Sequence, residues 1–398
     1  FVYTSPDRFV GLMEQRVIWP EGGPAEGRRF NAPQEPRITT VGRTVEYEWS
    51  SHGVAPDSFV AHCPRGYEFS PLVEMTSFHD WNELARWGVA LYARDAPVPA
   101  EVRALADSIA RRFADPDKRV LAALRAVQDQ VRYRSEVLGV GAFRPRPPEV
   151  VLRRRYGDCK DKAALLVEVL RALGVRAEPA LTSADFGRML PMCAPDPRLF
   201  DHVIVRVELG DHTHWLDPTQ RGQRGAHLEQ RSAADGGYAL VLSPDTQKPE
   251  EMWMPAEVQP RVTVQKWFSA PSYTDHARLK VVTTYQGARA NSERVWLREG
   301  SRASAGESFE RFYRGYYPAI RRLGDPQFED DEDANRFRVT EEYEIAGFFT
   351  SDSTTGRYEA VLSPVELYSD LPPAVEPGRK RPLGLGGPSL VSCETFFS

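Results

Sequence analysis

Cysteine is scarce in this 398-residue chain: Cys63, Cys159, Cys193 and Cys393 lie far apart and form no CxxC pair. That excludes a zinc knuckle and a dense disulfide framework, and leaves one long-range disulfide open. No apolar run is long enough to span a bilayer, so no membrane span is expected. Basic excess is also missing. A formal net charge of −5 argues against a dedicated nucleic-acid binder. The chain opens FVYTSPDRFV, without methionine or a charged-then-apolar leader, so no signal peptide is visible there.

What is present is a globular composition, 41% hydrophobic and 27% charged, on a chain too long for one ordinary core. Short β-like runs such as TVEYEWSS, punctuated by Gly and Pro, fill residues 1 to about 80. Helical spacing follows in PAEVRALADSIARRF and in DPDKRVLAALRAVQDQVRY, where Val120, Leu121, Leu124, Val127 and Val131 share a face. Beyond residue 250 the β texture returns in HARLKVVTTYQG and FRVTEEYEIAGFF, with one helical piece around ESFERFYRGYYPAI. The acidic run EDDEDAN lacks the glycine and closing glutamate of a calcium loop and reads as a solvated turn. The stretch DLPPAVEPGRKRPLGLGGPS reads as a linker.

RRRYGDCKDKAALL, residues 153–166, spends one of the four cysteines at a helix start. Asp158 is a good N-cap, and Asp161 three residues on makes a short-armed capping box. The helix would bury Leu165, Leu166, Val169, Leu170 and Leu173 and stop at Gly174. A thiol at a helix N-terminus meets the positive end of the macrodipole, which favours the thiolate. First-turn amides can stabilise an oxyanion beside the sulfur, and Gly157 would let a substrate backbone approach. Most free cysteines are small buried hydrophobes, so the position alone does not settle the role.

A nucleophilic cysteine needs an imidazole and a group that orients it. FDHVIVRVELGDHTHWLDPT, residues 200–219, reads as a hairpin with its turn at Gly210-Asp211. That register puts residue 209 opposite 212 and 204 opposite 217, so His202 and Asp217 are diagonal neighbours on one face. His212 and His214 point to the other face, and a one-residue slip would exchange the pairs. As a metal site His212 and His214 lack an evident third ligand, and neither metal nor cofactor is expected. Gln128, Gln130 and Tyr133 remain open as a second oxyanion donor. Arg144, Arg146, Arg153, Arg154 and Arg155 read either as an anion site or as an exposed charged face. Residues 184–199 read as a cover for the cleft or as a plain connection.

YGDCKDKAALLVEVLRALGVRAEPAL and FDHVIVRVELGDHTHWLDPT together resemble the transglutaminase-like superfamily, with its papain-like cysteine, histidine and aspartate. The resemblance is closest to a bacterial branch with this core between two β-rich domains. SFHDWNELARW and TTYQGARANSERVW fit that branch more loosely. It implies an α+β fold: a transglutaminase-like (papain-like) core over 91–248, with β-sandwich-like domains over 1–90, cut at its start, and 249–398. It assigns Cys159 as nucleophile, His202 as general base and acid, and Asp217 as orienting acid. The implied reaction is acyl transfer through a thioester on a peptide, protein or amide substrate, with water or an amine as acceptor. A periplasmic or secreted location is implied as well. The alternative is a binding or scaffold protein that keeps the core without using it.

Overall fold

Apolar residues at helical spacing decide where the core forms. A computed structural model describes residues 2–3, 8–22, 26–31, 34–56, 62–64, 67, 71–94, 96–135, 142–230, 237–253, 259–368, 377–385 and 389–398. Five helices pack in its middle: α1 (Trp81–Tyr92), α2 (Ala100–Arg112), α3 (Pro116–Gln130), α4 (Pro148–Arg154) and α5 (Cys159–Ala172). Asp80, Asp115 and Asp158 cap α1, α3 and α5 by accepting first-turn amides. The expected stripes are filled: Val120, Leu124, Leu165, Leu166, Val169 and Leu170 are fully buried. A buried leucine of this kind is worth about 1.5–3 kcal/mol of hydrophobic stabilisation.

These helices cover a five-stranded antiparallel sheet in the order His212–Leu216, His202–Leu209, Arg176–Thr182, Gly237–Val241, Glu250–Met252. Val203, Val205 and Val207 face the helices, whereas Ile204 packs on the reverse side with Ala180, Ala239 and Val241. The strand His202–Leu209 is therefore packed on both faces. Leu209 pairs with His212 and Val205 with Leu216, the register that a two-residue Gly210-Asp211 turn requires. Trp81, Leu84 and Ala85 of α1 belong to this core.

Sheets flank the core on both sides, as the fold class requires. Before it lie a three-stranded sheet of Val10–Pro20, Thr44–Val54 and Arg37–Val41 and another built on Leu72–Thr76. After it a six-stranded sheet is centred on Arg261–Ser269, Ala277–Gln286 and Arg336–Ile345, with α6 (Ala288–Glu299) and α7 (Arg302–Arg314) beside it. The one helical piece expected, around residues 307–320, overlaps α7, which starts earlier and stops at Arg314. α6 turns Ala290, Asn291 and Arg294 inward, a polar face that periodicity does not reveal. The tail ends in Leu390–Phe397, a strand parallel to Arg261–Ser269. Of the linker-like stretch 370–389, residues 370–376 and 386–388 fall outside the described residues. All four cysteines are free thiols, so the disulfide left open is not formed. Among the described residues no helix is long and apolar enough to cross a membrane.

Both flanks grip loops of the core. Glu74 accepts the Ala194 amide at 2.6 Å and Thr76 donates to the Pro195 carbonyl at 2.5 Å. From the other side, the acidic run is not simply solvated. The Glu332 and Asp333 carbonyls accept the amides of Gly225 and Ala226 at 2.8 and 2.9 Å. Gly222, at φ +76°, passes so close to α6 that a Cβ would stand 2.7 Å from Val295 Cγ2 and 3.0 Å from the Asn291 carbonyl. Gly222→Ala is therefore expected to destabilise by about 1–3 kcal/mol through strain and overpacking, read as a lower denaturant midpoint. An unchanged midpoint would mean that this junction yields freely.

Candidate active site

Helix α5 starts at a cysteine whose charged neighbours each hold a different piece of chain. Asp158 accepts the Asp161 amide at 3.2 Å and pairs with Lys160. Asp161 does not complete a capping box. It is fully buried and instead takes the amide of Arg146 at 2.7 Å and its guanidinium at 2.8 Å. Lys162, also fully buried, donates to the Val131 carbonyl at 2.6 Å, and burial draws its pKa down to about 8. A Cβ on Gly157 would lie 2.7 Å from Asp161 Cβ, so this glycine makes room for Asp161 rather than for a substrate backbone. At its far end the helix closes as expected: Val175 and Gly174 donate to Leu170 and Arg171 around Gly174 at φ +77°.

The hairpin brings the imidazole to the sulfur. His202 Nε2 lies 2.9 Å from Asp217 Oδ2, and the same ring lines one cavity with Cys159. A carboxylate accepts, so Nε2–H donates to Asp217 and leaves Nδ1 for the sulfur. Asp217 is 1% exposed, and its other oxygen accepts the Thr219 amide at 2.8 Å and hydroxyl at 2.6 Å. Burial alone would raise the Asp217 pKa, but the bonds from His202 and Thr219 win and hold it below the usual range. Burial likewise opposes charge on His202, yet the bonds to Asp217 and Cys159 outweigh it and lift its pKa to about 10. His212 and His214 lie together, ring centroids 6.3 Å apart, and line neither cavity at His202.

A cavity of about 390 Å³ opens on Cys159, walled by Trp87, Leu91, Tyr92, Phe143, Phe200 and Leu242. Pro197 and Arg198, at the end of the 184–199 loop, line it as well, while Leu190 and Leu199 anchor that loop in the core. Of the three open oxyanion donors, Gln128 is buried behind Asp217 and donates to its carbonyl at 2.9 Å. Gln130 accepts from Arg155. Tyr133 alone of the three lines the cavity, and burial, followed by the charge of Cys159, raises its pKa. Tyr92 had no signal in the sequence. Its hydroxyl is buried beside this cavity and has no hydrogen-bond partner among the described residues. The five arginines do not gather at Cys159: Arg144 and Arg146 line a separate cavity, where Arg146 also holds Asp161, and Arg154 lies over the Tyr156 ring at 5.3 Å. Among the described residues no group of three or more His, Cys, Asp or Glu is gathered as for a metal ion.

Residues 103–186 match the family model of the transglutaminase-like superfamily. A protein of Parabacteroides distasonis, provisionally described as a protease, shares the fold with a TM-score of 0.54 at 13% identity, over 86% of this chain and 68% of its own. The periplasmic domain of TgpA from Pseudomonas aeruginosa overlaps at TM-score 0.25 and 18% identity, over 55% of this chain and 72% of that one. A provisionally described cysteine protease from Cytophaga hutchinsonii overlaps at 0.24 and 15%, over 55% and 69%. No curated protein matches the sequence.

The thiols should separate under iodoacetamide at neutral pH. Cys193 is 3% exposed and burial pushes its pKa up to about 12, so it is expected to react last. Cys159, at a helix start in an open cavity, is expected to react first. Peptide mapping by mass spectrometry would show the order, and slow labelling of Cys159 would count against an activated thiol.

The His202–Asp217 pair sets a pH dependence of stability. The folded His202 pKa lies above its unfolded value of about 6.5, so its contribution is complete below that pH and fades as pH rises toward about 10. Asp217 is held low, so its contribution is present above about pH 3.9 and lost as pH falls below. The gap in unfolding free energy between wild type and Asp217→Asn is expected to be widest between about pH 4 and 6.5. Urea titrations across pH would check it; a gap that stays constant up to pH 10 would contradict the coupling.

Proposed function

We propose that this chain, whose core is of the transglutaminase-like superfamily, is a cysteine-dependent acyl-transfer enzyme acting on peptide or protein amides. The observation that carries the reading is His202, hydrogen-bonded to buried Asp217 through one nitrogen and sharing with Cys159 the cavity that opens on the sulfur. Cys159 is the nucleophile, His202 the acid and base, and Asp217 the group that fixes the ring. The division into a β-rich part, this catalytic core and a second β-rich part belongs to the same proposal. So does the periplasmic or secreted location, whose support is the sequence resemblance.

The Cys159 sulfur attacks the amide carbon as its thiolate, and the carbonyl oxygen takes the electron pair. First-turn amides of α5 and the Tyr133 hydroxyl, kept protonated by its raised pKa, are the donors suited to that oxyanion. The intermediate collapses as the C–N bond breaks. The imidazolium of His202 gives its proton to the departing amine, leaving a thioester on Cys159. Water or an acceptor amine then loses a proton to His202 as it attacks the thioester carbon, and the thiolate leaves. Asp217 stays ionised throughout and stabilises the imidazolium.

Cys159→Ser and His202→Ala are each expected to lower turnover at least a thousandfold, and Asp217→Asn less severely. His214→Ala, on the other face of the hairpin, is expected to leave turnover nearly intact. Full activity in Cys159→Ser would leave only a scaffold role for the core. Partitioning separates hydrolysis from transfer. With a transferase, product from an added primary amine rises with amine concentration while acylation stays constant. Hydrolysis alone at high amine, followed by chromatography of both products, would identify a peptidase or amidase.

A further inference from the structure

Two cavities meet at His202. The smaller, about 390 Å³, contains Cys159 and has mostly aromatic and aliphatic walls. The larger, about 760 Å³, lies between Thr219–Gln223 and α6 and is lined by Arg221, Ser292, Trp296 and Glu299 but not by Cys159. Among their lining residues only Tyr133 and His202 belong to both. The imidazole is thus the partition between a chamber that reaches the sulfur and a groove that does not.

We propose that the larger groove is the subsite for the amine half of the substrate and that it takes an extended peptide segment. The inference rests on the acyl-transfer reading of Cys159. In such a reaction the sulfur keeps the acyl half, while the imidazole serves the nitrogen that departs and the nitrogen or water that arrives. The amine half therefore belongs where His202 is within reach and the sulfur is not. In acylation the groove holds the leaving segment; in deacylation it holds an acceptor amine.

The wall chemistry selects the class. Arg221 Nη1 lies 3.5 Å from Glu299 Oε1, with side chains 56% and 64% exposed, so the rim carries both signs. A polyanion would call for cations alone, and a lipid tail for an apolar wall. The side-chain amides of Gln220 and Asn291 offer donors, and the hydroxyl oxygens of Thr219 and Ser292, whose protons go to Asp217 and the Ala288 carbonyl, offer acceptors, beside an indole at Trp296 that is 40% exposed. That mixture suits peptide groups, each of which brings one donor and one acceptor. The volume lies in the range of ordinary ligand sites.

The groove is also built to hold its shape. Arg294, 2% exposed, bonds Asp330 through Nε at 2.8 Å and Nη2 at 2.7 Å, and donates through Nη1 to the Gly222 carbonyl at 2.6 Å. One guanidinium thereby ties α6 to the loop that follows Asp217. The C-terminal part becomes a specificity element of the core's reaction, because it supplies half of the wall.

The test compares two substrates with one acyl half, chosen as the sequence cleaved fastest in a proteome-derived peptide library with glycinamide present as acceptor. One carries a primary amide, the other a tetrapeptide leaving segment. Wild-type kcat/KM is expected to favour the tetrapeptide roughly tenfold or more, since remote binding energy is spent on the reacting centre. Trp296→Ala and Ser292→Trp, which respectively remove the platform and fill the groove, are expected to bring the ratio within each variant close to one. Unfolding midpoints would show that both variants are folded, and the two changes act oppositely on volume. A wild-type ratio near one, or a ratio unchanged in both variants, overturns the subsite while Cys159-dependent cleavage leaves the acyl-transfer reading standing. Absence of any Cys159-dependent product from the library overturns both.

Discussion

A carboxylate 1% exposed survives as an anion only if its lone pairs are filled, and Asp217 fills them with His202 on one oxygen and Thr219 on the other. Losing one partner of such a buried pair costs about 3–5 kcal/mol, because the other charge is left without compensation. The geometry around the sulfur follows from this constraint. The imidazole cannot turn away without leaving Asp217 exposed to that cost, and Asp217 cannot move without breaking the Gln128 contact to its carbonyl. The hairpin register, the Thr219 turn and the Gln128 side chain are therefore parts of one device that aims a ring nitrogen at Cys159.

The start of α5 applies the same principle to Cys159. Charged residues cannot be buried idly, so Asp158, Lys160, Asp161 and Lys162 each meet a partner. Two of those partners lie elsewhere in the chain. Asp161 fixes Arg146 ahead of α4, and Lys162 fixes Val131, two residues before Tyr133. Cys159 is thus placed relative to the aromatic walls of its cavity by ionic groups and relative to the core by leucines.

The flanking sheets hold the loops around Cys159 and His202 rather than standing apart. Leu72–Thr76 holds the loop at Ala194 and Pro195, whose continuation lines the Cys159 cavity. The turn at Glu332 and Asp333, with Arg294, holds the loop that follows Asp217. One flank steadies the entry to the hairpin before His202, and the other its exit after Asp217.

The sequence by itself determined the helix start at Cys159, the leucine stripe behind it and the Gly210-Asp211 register. These depend on neighbours within a few residues: a cap, a 3.6-residue period, a two-residue turn. It favoured His202 over His214 as the neighbour of Asp217, on a register that a one-residue slip would have reversed and that the pairing of Val205 with Leu216 bears out. Only the tertiary structure decided which of Gln128, Gln130 and Tyr133 reaches the cavity, that Gly157 serves Asp161, and that Tyr92 has a buried hydroxyl without a partner among the described residues. It alone showed α6 turning Asn291 and Arg294 inward and the acidic turn gripping Gly225. Such facts depend on residues scores of positions apart meeting at one point, and local pattern carries no term for that meeting.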